Sequence, residues 1–418
     1  MLKKCVAAVV PLLLASSLFA DSVPKANDEY GDFYKGDKLE AKDWVQSIRV
    51  SEPAYRSTVK GEVTVKFTAP GMSSVRVLCW QQPTSTDASP WGHDAVVADS
   101  VELNKQGGGT FTFKADEFPH GPITVRILSK ADDGKRDLCE LQLFNDGGVP
   151  WKQGIPKEAP PAAAGMKLAF SDDFDGPLSI SKDGIGARYS AHKYKGGDFS
   201  GWQFSDPLGD ARPFSQVGTW LKISATNPTG EKGKGISGLI ESIAADGSGF
   251  LAKPPFYMEC RFIAQSAPGT WPAFWTLTKS EDKKPCDELD IVEAYGGYGP
   301  KNPNYPGYSC TSHFWAQTNA DGSKKHGVSQ RVVMRDIGSK ADWSATPHTY
   351  GLLVNEKDTV YFLDDIEVLR HPTNAVSLNP QFFLINYAIG GISGWKIDLA
   401  RYGNASDMYV DYVRVYQK

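Results

Sequence analysis

Short alternating runs of apolar and polar residues dominate the chain from about residue 44 onward. EVTVKFTA (62–69), SVRVLCW (74–80), GTFTFKA (109–115), ITVRILS (123–129) and LCELQLF (138–144) each place side chains of one kind on one face of a strand. Asp133-Gly134 between the last two predicts a hairpin turn. Val125 and Ile127 share one face of such a hairpin, as do Cys139, Leu141 and Leu143. Five or more short strands in about 100 residues predict an immunoglobulin-like β-sandwich over 44–146. The pattern resumes at Lys167 and runs to the end, through TWLKISA (219–225), FYMECRFIA (256–264), ELDIVEAY (288–295), TVYFLDD (359–365), QFFLINYAIGG (381–391) and MYVDYVRVYQ (408–417). No long segment holds a 3.6-residue period, so this second region is expected to be one large all-β sandwich or barrel.

The remaining segments differ in composition. Residues 1–20 carry Lys3 and Lys4, a short apolar run from Val6 to Leu14 broken by Pro11, and Ala20 before Asp21. This is the pattern of a cleaved bacterial export signal, too short to span a bilayer. The mature protein is therefore expected in the periplasm or secreted, with no membrane attachment after cleavage. Residues 21–43 are polar and acidic, a loose lead-in by composition. Residues 147–166 are rich in Pro, Ala and Gly, a semi-rigid linker.

A net charge of −4 without a basic block argues against a nucleic-acid partner. Five cysteines follow the signal: Cys79, Cys139, Cys260, Cys286 and Cys310. Export permits disulfides, and Cys79 with Cys139 is the expected pair, since both lie in strand-like runs of the first region. No zinc-type spacing occurs. Gly233-x-Gly235-x-x-Gly238 follows a polar loop and precedes no helix pattern, so it reads as a loop and not a dinucleotide site.

The chemistry is concentrated in Glu288-Leu289-Asp290-Ile291-Val292-Glu293. On a strand Glu288 and Asp290 share a face, but Glu293 has the opposite parity. One extra residue in a β-bulge between Asp290 and Glu293 brings all three carboxylates to the same face. Like charges repel, so a merely structural strand would not gather them. Two carboxylates flanking a glycosidic bond suit its hydrolysis: one attacks the anomeric carbon and the other protonates the leaving oxygen. Asp290 between them would raise the proton affinity of Glu293 and hold Glu288 in place.

These residues resemble the Glu-x-Asp-x-x-Glu signature of glycoside hydrolase family 16 in its bulged form. FSDDFDG (170–176), SGLIES (237–242), GTWPAFW (269–275), INYAIGG (385–391) and YVDYVRVYQ (409–417) resemble further segments of that family. The resemblance covers about 167–418 and implies a curved, concanavalin-like β-jelly-roll with an open cleft. It implies Glu288 as nucleophile, Glu293 as acid/base and Asp290 as their assistant, with no cofactor in the chemistry. It also implies a retaining, endo-acting enzyme acting as a monomer on a polysaccharide, either β-1,3- or mixed-linkage glucan. Lys284-Pro285-Cys286-Asp287 replaces the Trp-Pro-x-x-Gly of many laminarinases. A β-galactan-type substrate, or transglycosylation on the same scaffold, therefore stays open.

Trp271 and Trp275 share strand parity and are candidates to stack on sugar rings. His313 and Trp315 in SHFW follow on the next expected strand, and Trp202 and Trp395 lie in Gly-rich loops that would rim a cleft. Core packing is the alternative for each tryptophan. The family resemblance also implies a structural calcium, with Asp411 and Asp173 at the matching positions. For 44–146, with Trp80 and Trp91, two roles stand: a carbohydrate-binding module, or a spacer that packs against the catalytic unit.

Overall fold

A computed structural model describes residues 29–34, 41–85, 90–207, 212–280, 285–299, 302, 304, 305, 307–334, 342–391 and 396–418. The export signal and Trp395 lie outside the described residues. No helix among the described residues is long and apolar enough to cross a membrane.

The first region is a two-sheet sandwich. Three strands (Arg49–Glu52, Glu62–Thr68, Gly108–Lys114) face five (Thr58–Val59, Arg136–Asn145, Gly121–Lys130, Ser74–Gln81, His93–Ala98). Glu62–Thr68 alternates strictly, with Val63, Val65 and Phe67 inward against Val125, Ile127, Cys139 and Leu141. The hairpin Gly121–Lys130/Arg136–Asn145 turns at Gly134, whose φ of +93° is costless without a Cβ. Both of its faces are buried. Its outward set, including Thr124, Arg126, Glu140 and Gln142, alternates as a solvent face should but is covered by the C-terminal domain.

Two expectations change here. The lead-in is not loose where it is described: Glu29–Tyr34 is a short helix whose Phe33 and Tyr34 are buried with Leu78, Leu128 and Leu138. The semi-rigid linker over 147–166 is packed as a strap along the C-terminal domain. Trp151 meets Trp80, Gly154 N–H donates to Asp411, and Ala163 is buried with Tyr257 and Tyr416. Cys79 and Cys139 are both free thiols. They lie on strands separated by Gly121–Lys130, with Cys79 opposite Val125 and Cys139 opposite Ile127, so a whole strand stands between them.

The C-terminal domain is a jelly-roll of two large sheets. The cleft-bearing sheet contains β1 (Ile180–Ser181), β2 (Tyr189–Ser190), β3 (Leu239–Glu241), β4 (Thr270–Thr278), β5 (Cys286–Glu293), β6 (Tyr308–Trp315), β7 (Val328–Val332) and β8 (Gln381–Ile389), in the order β1-β2-β3-β8-β4-β5-β6-β7. A ten-stranded sheet centred on Phe256–Ala264 and Ala405–Gln417 backs it. Phe274, Leu289, Ile291, Val292 and Ile385 from the first sheet pack on Met258, Phe262, Val410 and Val413 from the second. β4 and β8 are apolar on both faces, because Trp271, Trp275, Leu277, Phe382 and Leu384 form a second cluster on the side away from the core. That outer aromatic layer floors the cleft.

Candidate active site

β5 carries the three acids, and its register shows how. Asp290 pairs with Thr311 of β6 and Glu293 with Ser309, three residues against two, and the ladder to β4 slips at the same place. The bulge leaves Ile291 and Val292 both fully buried in the core. Two consecutive core side chains are what return Glu293 to the face of Glu288 and Asp290. All three line one cleft of about 880 Å³, with Trp271, Trp275, His313 and Trp315.

The acids differ in environment. Glu293 is half-buried, and its Oε1 accepts from Trp271 Nε1 and from Tyr295 Oη, each at 3.2 Å. Burial, and next the charge of Glu288, push its pKa up to about 7 against the two donors. Asp290 is 3% exposed, and burial followed by the charges of Glu293 and Glu288 holds its pKa well above the carboxylate range. His313 Nε2 stands 3.3 Å from Asp290 Oδ2 without hydrogen-bond alignment. Glu288 Oε2 accepts from Trp315 Nε1 at 2.9 Å. One donor atom each of Glu288, Asp290 and His313 lies within 4.8 Å of the others, a set that could also hold a divalent cation.

The tryptophans divide. Trp271 and Trp275 are mostly buried on the cleft floor, and Trp275 Nε1 donates to Asn386 Oδ1 at 2.7 Å. Trp315 is 45% exposed and stacks on His313, with ring centroids 5.0 Å apart, leaving indole surface for a ligand. Trp202 is a correction. It is 4% exposed in the core, wedged so tightly on Gly235 that a Cβ there would lie 2.2 Å from its ring, and it lines no part of the cleft.

Asp411 and Asp173 do not fit a calcium ion. Asp411 Oδ2 is 2.6 Å from the Arg261 guanidinium, and its Oδ1 accepts from Gly154 N–H at 2.9 Å. A buried arginine already supplies the cation there. Asp173 lies in the turn after Lys167–Asp172, beside Asp175.

Several cleft residues were not anticipated. Lys193 reaches over the Trp275 ring at 5.4 Å and over Phe199 at 5.7 Å. Its loop is held by Glu241, whose two oxygens accept from Tyr194 N–H at 2.8 and 3.1 Å. Asp287, facing away from the cleft, is fully buried and accepts from Asn374 and Ser377. Tyr295 and Asn386 stood in segments already singled out (ELDIVEAY and INYAIGG), so strand parity from Glu293 and Trp271 was the available signal. The loop from Lys193 carries no such signal, because it reaches the cleft only through the tertiary fold.

Comparison with known proteins bears on this site. Residues 252–413 match the model of Glycosyl hydrolases family 16. The chain is similar to the endo-1,3-1,4-beta-glycanase EglC of Rhizobium meliloti (strain 1021), at 29% identity over 60% of this chain and 52% of that protein. It is also similar to ExsH of the same organism, described in the same words, at 30% identity over 50% of this chain and 41% of that protein. The chain thus spans about half the length of the curated relatives it matches. Among solved structures it resembles SCLam, a non-specific endo-beta-1,3(4)-glucanase, at 24% identity and TM-score 0.46 over 64% of this chain and 96% of that one. The match to glycosyl hydrolases family 16 lies within the C-terminal domain and contains β4 to β8, with the three acids of β5.

Proposed function

We propose that this protein is a retaining endo-glycanase that cuts β-1,3- or mixed-linkage β-1,3/1,4-glucan. The observation that carries the reading is the bulge of β5, which aligns Glu288, Asp290 and Glu293 on the floor of an open, aromatic-walled cleft. In the first step the Glu288 carboxylate attacks the anomeric carbon. The C–O bond to the leaving sugar breaks with its electron pair going to oxygen, and Glu293 gives that oxygen its proton. In the second step Glu293, now a carboxylate, takes a proton from water, which attacks the same carbon and releases Glu288. A Glu293 pKa near 7 supports this double duty, since the group must be protonated in one half-reaction and charged in the other. The names of the relatives EglC and ExsH, both endo-1,3-1,4-beta-glycanases, favour a β-1,3/1,4-linked polysaccharide.

Polysaccharide substrate, action as a monomer, and secretion or periplasmic location belong to the same proposal. So does an immunoglobulin-like identity for the first sandwich, supported by its three-on-five sheet arrangement. The test is reducing-end release from laminarin, lichenan, agarose, carrageenan and poly-N-acetyllactosamine, with the anomer of the first product followed by NMR. Release from the first two with initial retention is expected. Release from galactans alone would replace the substrate, and initial inversion would remove the covalent step.

A further inference from the structure

The first sandwich meets the catalytic domain at the loop that follows the acid strand. Tyr295 begins that loop and donates to Glu293 Oε1. The next residues are pinned at short intervals. Gly296 N–H donates to Thr270 O at 2.8 Å, Gly297 N–H donates to Ser266 Oγ at 3.0 Å, and Asn302 Nδ2 donates to the carbonyls of Tyr295 and Gly297.

The far side of the loop is clamped by the first region. Tyr298 donates its hydroxyl to Glu140, a fully buried carboxylate whose other oxygen accepts from Ser266 N–H at 2.8 Å. The Trp44 ring stacks on Tyr298, with centroids 5.8 Å apart and planes 26° apart, and meets Tyr305 at 6.0 Å. At Gly299 a Cβ would lie 2.2 Å from Trp44, so the loop is moulded to that indole. Trp44 is itself fixed by a bridge to Arg136, with Val45 N–H donating to Arg136 O at 2.9 Å.

We propose that the N-terminal domain is a brace for the general acid: Trp44 and Glu140 are positioning residues that hold Tyr298, and through the loop keep the Tyr295 hydroxyl on Glu293. The inference rests on the acid/base role proposed for Glu293. It assigns the first sandwich a part in catalysis that neither a spacer nor a sugar-binding module would have.

The sign of the effect follows from the hydrogen bond. Tyr295 donates to the carboxylate form of Glu293, so its withdrawal favours the protonated form. The other groups facing Glu293 and its neighbours are Glu288 and Asp290 on its own strand, His313 and Cys310 on β6, and Lys193 from the opposite loop. The Trp44 ring meets Tyr34, Tyr298 and Tyr305, none of which is among these groups.

The experiment compares pH–kcat profiles of the full chain as wild type, Trp44→Ala, Trp44→Phe, Glu140→Gln, Tyr295→Phe and Arg56→Gln, with thermal melts of each. Arg56→Gln breaks a different inter-domain contact, the Arg56–Asp407 ion pair, and serves as the control. Trp44→Ala and Glu140→Gln are expected to lower kcat about tenfold, to change KM less than about twofold, and to move the basic limb upward by about half a pH unit. Tyr295→Phe should reproduce the limb shift, and Trp44→Phe should restore the wild-type profile. Folded Trp44→Ala or Glu140→Gln with an unchanged limb would overturn the brace, and so would an equal shift in Arg56→Gln. If Trp44→Ala does not fold, Glu140→Gln decides alone. A wild-type chain inactive on every glycan would instead sink the hydrolase reading.

Discussion

Asp290 and Glu293 are three residues apart in the chain but only two steps apart in the ladder, facing Thr311 and Ser309 of β6. The residue gained by the bulge is absorbed into the core, where Ile291 and Val292 are both buried. The two glutamates therefore flank Asp290 on one surface, and each has a separate task in the proposed mechanism. Replacing Glu288 with Ala is expected to cut kcat by about 10³-fold or more while changing the melting curve little, because Glu288 is half-buried at the cleft surface and its hydrogen bond is to the exposed Trp315. Glu293→Ala should do the same for substrates with poor leaving groups, and much less for an activated aryl glycoside that needs no protonation. Asp290→Asn should cost less than either. Steady-state kinetics on both substrate types check the ranking, and a Glu288→Ala enzyme near full activity would reverse the assignment.

The pH–rate profile has a predicted shape. Glu293 must carry a proton to expel the leaving sugar, and burial together with Glu288 places its pKa at about 7. Activity should fall as pH rises through that value. Glu288→Gln removes the charge that helps raise it, so the titration of the Glu293 carboxyl, followed by NMR in the free protein, should move downward.

Stability is predicted to decline over a nearby range for a different reason. Glu241 sits under Tyr194 with its pKa raised from 4.5 to about 8, chiefly by burial. The folded state then binds a proton more tightly than the unfolded chain. Its contribution is full below the unfolded pKa and is lost as pH rises toward 8, at about 1.4 kcal/mol per unit. Glu140, raised to about 7 by burial, acts in the same direction. Melting temperature should drop by about 5 °C or more between pH 5.5 and 8.5, and Glu241→Gln should flatten that slope. An unchanged slope in Glu241→Gln would place the loss elsewhere.

The legible parts were those governed by local periodicity. The parity conflict at Glu293 demanded a bulge, and β5 has one; the Asp133-Gly134 turn stands between paired strands. What stayed hidden depended on distant chain. Trp202 lies in a Gly-rich stretch that suggests a loop rim, yet Gly235 opens a slot for its ring in the core. The hairpin face bearing Glu140, Gln142 and Arg126 alternates like a wet surface, and only docking of a second domain shows why those charges sit there. Phe33 and Tyr34 were outweighed by their polar neighbours, although two aromatics suffice to seat a short helix.

The same limit applies to the cysteines. Cys79 and Cys139 both point into the sandwich core, which is what made them look like a pair, but Gly121–Lys130 runs between their strands. Burial also pushes the Cys79 and Cys139 thiols up, away from the reactive thiolate. Adding a reductant should leave the melting temperature unchanged, and alkylation of the native protein should be slow at both positions. A drop in melting temperature on reduction would show a disulfide these positions do not form.

Arg261 and Asp411 bear on whether a metal stabilises the domain. Their charges meet at 2.6 Å beneath the strap at Gly154, with both side chains almost wholly buried. A calcium ion at Asp411 would have to displace the guanidinium into a region that also holds Arg414, paired to Glu259 at 2.6 Å. The pair costs desolvation to form, but removing one member strands the other charge, at about 3–5 kcal/mol. Arg261→Ala should therefore lower stability by about that amount, and Arg261→Ala/Asp411→Ala should recover part of it. EDTA should leave the wild-type melting curve where it was, and calcium should not rescue Arg261→Ala. If calcium did restore that variant, the arginine would be a stand-in for a metal site that Asp411 can still complete.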